Sequence, residues 1–486
     1  MESIRSSPRD AAESVLLGRA VPAAALELCA LFTALAVGIL IFELGWLSPE
    51  QAGVSTVFFL VCLDLLAWRR FEQGRHPCFL FLCVLTLLQA GRFLAYLFGD
   101  GSHPLRIAGV APHSFDLTRA EAGTVLLSVS LSALCMYAIC RWNYRPMSPP
   151  SDAPVKRYLP YLYIVFYATL PIQLYKNYSY YSFIKRHGGY LYFWMHHGDI
   201  VSSVPFFVRA IVLISAPAFL AIFVFERRTK WIVTATFFYF STTLLTLLIG
   251  FRSAIFTLVL VLWYVARIKS NKRARLATLG VFAVILVVVG GLVQTLREDS
   301  GMSVSDYAFL PLEFLRMQGD SIDVTSVAVK YDKLLAPYAF SYMWYDLQDS
   351  FISRGLQGYV RGQRLPNDVT VLLNPIAFSR GRGTAGSYLA EMYLVGGVAG
   401  VIILSLLLGW GLHLLYYWSH NAISLFVVAS ILPVIIIMPR GQLLDWGSEL
   451  AKTGISVVML WIGWLLYCTA RSLFGAPVLR LDATQQ

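Results

Sequence analysis

Residues 387–416 have the sequence SYLAEMYLVGGVAGVIILSLLLGWGLHLLY and contain one formally charged side chain, that of Glu391. An apolar stretch of about 18 residues or more is long enough to cross the hydrocarbon core of a bilayer as a helix. The stretch therefore predicts a transmembrane helix with a carboxylate one turn inside it. Because a carboxylate at that depth is costly unless it is paired or used, the same residues predict a functional site.

The composition of the whole chain agrees with this prediction. Of its 486 residues, 57% are hydrophobic and 14% are charged, and the mean hydropathy is +0.63. Soluble domains carry about 25% charged residues. The chain is therefore predicted to be an all-α polytopic membrane protein, and a soluble enzyme, a fibrous protein and a disordered scaffold are excluded.

Similar apolar blocks recur along the chain and predict twelve transmembrane helices. They lie at about 23–45, 52–68, 77–98, 121–140, 158–176, 205–225, 231–250, 253–267, 276–295, 387–416, 421–438 and 454–470. The net charge of +11 comes largely from short basic turns between these blocks. If the N-terminus is cytoplasmic, those turns face the cytoplasm, as the positive-inside rule requires. The charge thus indicates orientation in a bilayer, and nucleic acid is not expected as a partner.

The spans divide the chain into five regions. These are a cytoplasmic N-terminal tail at 1–22, nine transmembrane helices at 23–295, a large periplasmic loop at 296–386, three transmembrane helices at 387–470 and a cytoplasmic tail at 471–486.

The loop of about ninety residues is long enough for a small structured cap. Pro311 begins one predicted helix in it, and Asp320 caps a second that runs to about Tyr331. Their alternating faces suit the outer membrane–water boundary. Residues 352–386, which are rich in glycine and arginine, are predicted to form a loop.

No metal site or cofactor is expected. The seven cysteines lie in apolar blocks without metal-ligand spacing, so they are interpreted as buried small hydrophobic residues. The sequence contains no glycine-rich phosphate loop and no nucleotide fingerprint, and its predicted outer segments contain no Asp-x-Asp pair. A nucleotide-sugar donor is therefore not indicated, and an activated lipid substrate would have to supply the energy for a transfer.

Six arginines are predicted to approach one membrane face, either at outer helix ends or in outward segments. They are Arg92, Arg209, Arg252, Arg380, Arg382 and Arg440. A guanidinium keeps its charge and presents a planar fork of donors that matches phosphate oxygens. These arginines are candidate ligands of a lipid-linked diphosphate. The alternative for each is an ion pair with an acid, or a side chain that extends to the lipid headgroups.

Three residues are candidates for the catalytic machinery. Arg252 lies in a glycine-flanked break between two apolar runs, and Arg440 lies between Pro439 and Gly441 at the end of a span. Glu391 is the candidate general base, and the alternative is that it holds one of the arginines in an ion pair. Weaker candidates for the base are Asp299, Asp306, Asp320, Asp323, Asp368 and Asp445.

The second outward segment is rich in aromatic residues and histidines. Its candidate sugar-binding residues, to which Arg316 of the large loop is added, are Tyr180, Tyr181, Trp194, His196 and His197. Aromatic faces suit the apolar faces of sugar rings, and histidine suits proton transfer near neutral pH. An interfacial aromatic belt would have the same composition.

Three short motifs accompany this layout. They are Gly250-Phe251-Arg252-Ser253-Ala254 at the start of a span, GTAGSYLAEMY at 383–393 running into GGVAG at 396–400, and Arg440-Gly441 at the end of a span. With about a dozen spans and a long outward loop before the third-last of them, they resemble the Wzy-type oligosaccharide repeat-unit polymerases, the O-antigen polymerases of bacterial inner membranes. Phe251 departs from the pattern, since related proteins often carry a small residue there.

The resemblance implies a C-type integral-membrane glycosyltransferase that moves a growing glycan from undecaprenyl diphosphate onto a new lipid-linked repeat unit at the periplasmic face. It implies that Arg252, Arg382 and Arg440 stabilise the departing diphosphate, and that Glu391 or a loop histidine activates the acceptor hydroxyl. The expected partners are the lipid-linked oligosaccharide and membrane lipids. A chain-length-regulating co-polymerase and a flippase stay open as further partners.

Two other functions compete with polymerisation. An O-antigen ligase shares the donor and the glycine–arginine break, but ligases tend to place an essential histidine in the long outward loop, and 296–386 contains none. A flippase for lipid-linked oligosaccharide would need charges along a central path and usually two related halves. Here the predicted intramembrane charges crowd one side, and Asp64 is interpreted as a partner of nearby arginines.

Overall fold

The fold was analysed in a computed structural model. The model describes residues 8–99, 104–105, 116–150, 155–187, 197–249, 252–270, 275, 280, 288, 310–349, 359–379 and 383–473. Within these ranges, only the backbone is described for 8–22, 197–198, 248–249, 252, 254, 310, 349 and 377.

The described residues form α-helices, short 3-10 turns and connecting loops, with no β-strand among them. The helices before the large loop are α1 (Pro8–Glu43), α2 (Pro49–Arg70), α3 (Pro77–Leu97), α4 (Arg119–Asn143), α5 (Leu159–Arg186), α6 (His197–Ser202), α7 (Phe206–Phe225), α8 (Thr229–Ile249) and α9 (Arg252–Lys269). Those that follow are α10 (Leu310–Gln318), α11 (Ser321–Lys330), α12 (Asp332–Leu335), α13 (Ala339–Asp349), α14 (Leu365–Leu373), α15 (Pro375–Ser379), α16 (Tyr388–Trp418), α17 (Ala422–Ile437) and α18 (Asp445–Leu473).

Eight helices in the described part of the chain are long and apolar enough to cross a membrane. They are Ala23–Glu43 within α1, α2, α3, α4, α7, α16, Ala422–Arg440 and α18. The protein is thus a multi-pass membrane protein. Helices α5, α8 and α9 occupy three more of the predicted positions but are not among these eight, and the predicted span at 276–295 lies almost wholly outside the described residues.

Two helices extend well beyond their predicted spans. Helix α18 begins at Asp445 rather than near 454, so most of the predicted outward turn at 439–453 is helical. Helix α5 continues to Arg186, ten residues past the predicted end at 176. In both cases the added turns carry polar and aromatic residues, which lower the hydropathy without breaking the helix.

The bundle is held together by close approach of small residues. Helix α16 packs along α4, and a Cβ atom on Gly409 would lie 2.9 Å from the Cα atom of Met136. The hydroxyls of Ser132, Ser405 and Tyr388 form a buried hydrogen-bonded chain between the same two helices. Small residues and hydroxyl bridges are the usual means of helix association in membranes, where the hydrophobic effect gives no preference between protein and lipid contacts.

Residues 310–349 and 359–379, which we call the insert, lie against one end of the bundle. Helix α10 packs on the C-terminal half of α3, and Lys330 donates a hydrogen bond to the Asp116 carbonyl just before α4. A separate apolar core joins α11, α13 and α14 to the first turns of α16. We call this side of the bundle the insert end.

Helix α11 corrects one prediction. Its position agrees with the helix predicted from Asp320 to about Tyr331, but all of its residues from Ser321 to Val329 are buried. It therefore does not rest on a membrane boundary. Its flanking acid, Asp320, makes no capping bond and pairs with Arg92 of α3 instead. A charged partner on another helix has displaced the local cap.

The stretch 352–386 was predicted to be a loop, and part of it is helical. Helix α14 buries Leu365, Val369 and Leu373, which share one face at a spacing of four residues. Pro366 stands in its first turn, where a missing N–H is tolerated. The glycine-rich composition obscured this short apolar face.

Helix α16 is broken five residues after Glu391. Gly397 has φ +60° and ψ −145°, a conformation that is essentially restricted to glycine. Beyond it, a Cβ atom on Gly400 would lie 2.5 Å from the Met392 carbonyl oxygen. The break separates a short first segment that carries Glu391 from the long membrane-spanning segment. Broken helices in membrane proteins are tolerated where they line a site.

Substitution of Gly397 by alanine should disturb this break. A side chain at that backbone conformation costs about 1–3 kcal/mol, so we expect Gly397→Ala to lower the thermal unfolding midpoint in detergent. Gly411→Ala is the matched control, because it lies in the same helix and an added Cβ would meet nothing within 4 Å. Equal midpoints for the two variants would show that the break is not required.

Candidate active site

Two of the three sequence motifs meet at the insert end of the bundle. A Cβ atom on Gly386 would lie 2.9 Å from the carbonyl carbon and oxygen of Gly441, so only glycine permits this approach. The side-chain amide of Gln89, on α3, donates to the Pro439 carbonyl at 2.7 Å and to the Ser387 hydroxyl at 3.2 Å. Gln89 thereby fastens the 383–393 segment and the 439–441 segment to the same helix.

Glu391 lies inside this junction and is 1% exposed. Its Oε2 accepts a hydrogen bond of 2.8 Å from the backbone N–H of Leu443. Its Oε1 accepts no hydrogen bond from the described residues, and no described arginine forms an ion pair with it. The alternative prediction, that Glu391 holds Arg252, Arg380 or Arg382, cannot be placed, because those side chains lie outside the described residues.

A second buried carboxylate, that of Asp346 on α13, adjoins Glu391. Asp346 is 2% exposed and accepts a short hydrogen bond from the side-chain amide of Gln442. The backbone N–H of Gln442 donates to Asp445 at 3.1 Å. The segment that follows Arg440 therefore binds three acids, which come from α16, α13 and α18.

The charges of this cluster act on one another. Burial, together with the negative charges of Glu391 and Asp445, raises the pKa of Asp346 well above its ordinary value, and the positive charge of Arg364 opposes that shift. Two carboxylates that share a site of low polarity cannot both ionise easily. The Asp346–Glu391 pair is therefore expected to retain one proton near neutral pH.

Arg440 directly precedes the segment that binds the acids. It is half-buried, and its Nη1 donates to the side-chain oxygen of Gln318, at the end of α10, at 2.6 Å. Arg364 of the insert supplies a second half-buried guanidinium, whose charge acts on Asp346 and Asp445. The site thus combines paired acids with two arginines.

Arg92, a predicted diphosphate ligand, is engaged by the protein. Its terminal nitrogens lie 2.8 Å from Asp320 Oδ1 and 2.6 Å from both oxygens of Asp323. Asp320 and Asp323, two weaker candidates for the base, are thereby used in an ion-pair network. This network ties α3 to α11, and it matches the alternative that the sequence left open for Arg92.

Arg209 occupies a different place. It is half-buried in the first turn of α7, and its charge acts on Lys176 and Tyr180 of α5. Tyr181 packs in a small apolar cluster with Ile184 and Ile200. These residues lie on α5, α6 and α7, whereas Glu391 lies on α16.

The other predicted site residues divide into two groups. Trp194, His196, Arg380 and Arg382 lie outside the described residues, as do the side chains of His197 and Arg252. Arg316 is exposed and pairs with Glu313 at 2.6 Å. Asp368, another weaker candidate for the base, accepts hydrogen bonds from Tyr342, Tyr359 and the Gly362 N–H, which is a structural role.

The sequence did not identify Asp346, Arg364, Gln442 or Gln89 as site residues. Asp346 had a usable signal, because Ala339, Tyr342 and Asp346 follow one another at helical spacing and form a single buried face. An acidic residue at a position on such an apolar face is predicted to be buried. The two glutamines had no such signal, since their partners are fixed only by the fold.

At the opposite end of the bundle, the structure brings two of the cysteines close to a histidine. One ligand atom each from His76, Cys78 and Cys140 lie within 4.8 Å of one another. All three groups have protein partners: Cys140 donates to the Gly409 carbonyl at 3.1 Å, Cys78 interacts with the Met136 carbonyl, and a nitrogen of His76 accepts from the Cys78 N–H. Asp64 was interpreted as a partner of nearby arginines, but in the structure the Thr86 hydroxyl donates a hydrogen bond to it at 2.9 Å.

Comparison with protein-family models matches residues 30–471 to the family described as O-antigen polysaccharide polymerase Wzy. The match covers nearly the whole chain. The chain belongs to this family. The resemblance predicted from the three motifs is thereby confirmed, and polymerisation of O-antigen repeat units is favoured over the ligase and flippase alternatives. No curated protein and no solved structure matches the chain significantly.

The raised pKa of Asp346 predicts a pH dependence of stability. A carboxyl group whose pKa is raised by folding stabilises the fold while it is protonated, and the unfolding free energy falls as pH rises from the ordinary value of 3.8 toward the raised one. We expect the thermal midpoint of the wild type to fall between pH 6 and pH 9 (roughly 1–5 °C, given the size of the chain) more than that of Asp346→Asn. The same dependence in both proteins would contradict the assignment, and Asp332→Asn in the insert is the control.

Proposed function

We propose that the Asp346–Glu391 pair and Arg440 form the catalytic centre of a polysaccharide polymerase that uses polyprenyl diphosphate-linked repeat units. The observation that supports this proposal most strongly is the meeting of the buried Glu391 carboxylate with the loop that follows Arg440, through the Leu443 N–H. A base and a cation are thus held together by one short segment. The donor would be an undecaprenyl diphosphate-linked glycan.

The reaction requires a proton acceptor. In this proposal the hydroxyl of the terminal sugar of the acceptor unit gives its proton to the Glu391 carboxylate, and its oxygen forms a bond to C1 of the donor sugar. Asp346 holds the proton that the pair retains at rest, and Glu391 is the member of the pair that acts as base. General bases of this kind accelerate a reaction by a factor of about 10²–10⁴.

The departing diphosphate has to be stabilised by a positive charge. As the C1–oxygen bond of the donor breaks, its electron pair passes to the diphosphate, and Arg440 stabilises the developing charge. Arg364, which the sequence did not identify, supports Arg440 from the insert. Arg252, Arg380 and Arg382 stay predictions as further ligands. Because guanidinium groups can provide this stabilisation, we propose that the reaction needs no divalent metal.

The orientation follows from the basic turns. The predicted inner turns contain paired arginines: Arg70 binds Glu27 at 2.6 Å, and Arg228 binds Glu226 at 3.2 Å. With those turns in the cytoplasm of a bacterium, the insert end faces the periplasm. We propose that the protein lies in the inner membrane with its active face on the periplasmic side. A co-polymerase and a flippase stay open as partners.

Purified protein supplied with lipid-linked repeat units, without nucleotide, should produce a ladder of glycans of increasing length. The ladder should persist in a chelator, because no step of the proposed reaction uses a metal ion. Product size is measured by gel electrophoresis. Loss of the ladder in chelator and its return with magnesium would contradict the metal-independent mechanism. Transfer to lipid A–core without a ladder would indicate a ligase.

Glu391→Gln and Arg440→Gln should each slow the formation of the ladder. We expect a decrease of about 10²–10⁴ for the base and of about 10²–10³ for the cation, with an unchanged elution profile of the folded protein. Glu449→Gln is the control, because Glu449 lies on α18 and pairs with Lys452 near the surface. Wild-type rates in Glu391→Gln would remove it as the base.

A further inference from the structure

Two half-buried cationic side chains lie on the neighbouring helices α5 and α7. Lys176 lies in the last third of α5, and its ammonium group stands 5.5 Å from the ring centroid of Tyr180. Arg209 lies in the first turn of α7, and its guanidinium stands 5.8 Å from the ring of Phe206. The charge of Arg209 acts directly on Lys176. Like charges that are partly shielded from water repel each other.

Within the described residues, neither side chain forms an ion pair or a hydrogen bond. The buried Nε of Arg209 has no partner there, and burial and Arg209 are the influences on Lys176. Two other partly buried arginines of the bundle pair with acids: Arg92 with Asp320 and Asp323, and Arg75 with Glu72 at 2.7 Å. The described residues therefore provide no negative charge that compensates the cationic pair of Lys176 and Arg209.

The position of the pair can be related to the acids through α18. The hydroxyl of Ser456 donates to the Leu213 carbonyl at 3.1 Å, which fixes α18 beside α7. Arg209 is one turn before Leu213, and Asp445 is three turns before Ser456. At 1.5 Å per residue, Arg209 lies roughly 6 Å, and Asp445 roughly 16 Å, from the level of the Leu213–Ser456 contact. Arg209 is therefore roughly 10 Å further from the insert end than Asp445.

The proposed reaction has two lipid-linked substrates, and they place their diphosphates differently. The bond that breaks in the donor is the sugar–diphosphate bond itself, so the donor diphosphate must lie beside Glu391 and Arg440. The acceptor reacts through a hydroxyl of its terminal sugar, which is separated from its own diphosphate by the repeat unit. The acceptor diphosphate must therefore be bound away from the carboxylates.

We propose that Lys176 and Arg209 bind the diphosphate of the acceptor, the incoming lipid-linked repeat unit. This inference rests on the proposed function and deepens it by giving each substrate its own cationic site. A diphosphate would neutralise both charges and accept hydrogen bonds from both side chains. Tyr180, which the sequence suggested as a sugar-binding residue, lies beside this anion site.

The test compares full-length wild-type protein with Lys176→Gln, Arg209→Gln and the double variant in phosphatidylcholine nanodiscs. The concentration of lipid-linked repeat unit that gives half-maximal ladder formation should rise at least about tenfold for each charge removed, with little change in the maximal rate. Lys185→Gln is the control, because Lys185 is exposed on the same helix. Unchanged half-saturation in the double variant would overturn the proposal.

A second measurement does not depend on turnover. Geranylgeranyl diphosphate should raise the thermal midpoint of the wild type, and the double variant should lose part of this stabilisation. Without ligand, each single variant should be at least as stable as the wild type, because one of two repelling charges is gone. Lower ligand-free midpoints in both variants would show a structural role and overturn the proposal.

The two measurements separate the inference from the proposed function. Ligand stabilisation that depends on Lys176 and Arg209, in a protein that forms no ladder, would retain the anion site and refute the polymerase mechanism. A wild-type ladder with unaltered variants would refute only the acceptor site. If nanodiscs with phosphatidylglycerol abolish the difference in stabilisation by geranylgeranyl diphosphate, the site binds a phospholipid headgroup and the acceptor assignment fails.

Discussion

The carboxyl groups of Glu391 and Asp346 are both removed from water, and two adjacent negative charges are unfavourable there. The structure around them reduces this cost. The Leu443 N–H and the Gln442 amide donate to the two acids, and Arg364 contributes an opposing charge. The two donors belong to the segment 440–445, and Arg364 belongs to the insert. The acids are therefore stabilised only when this segment and the insert both lie against them.

The segment 440–445 can reach the acids because of three local features. Gly386 and Gly441 permit two backbones to approach more closely than any side chain would allow. Gln89 joins both segments to α3 by hydrogen bonds. The break at Gly397 separates the turn that carries Glu391 from the membrane-spanning part of α16. A change at any of these positions would move the carboxylate relative to Arg440.

Arginines of this protein serve different purposes, which their chemistry alone does not distinguish. Arg92 forms an ion-pair network with Asp320 and Asp323, whereas Arg440 donates to Gln318 and directly precedes the segment that binds the acids. Arg209 repels Lys176. The difference lies in the neighbouring residues: a guanidinium with a carboxylate partner is structural, whereas one beside another cation favours an anionic ligand.

The sequence by itself determined the membrane class of the protein, the positions of most long helices and its family, and it predicted Glu391 and Arg440 as candidate site residues. Those properties depend on local hydropathy and on short motifs, which are contained in neighbouring residues. Only the tertiary structure decided that Asp346 adjoins Glu391, that α11 is buried rather than interfacial, and that the charge of Arg209 acts on Lys176. Such pairings link residues far apart in the chain, as Gln89 and Pro439 are by 350 positions, and depend on how whole helices pack.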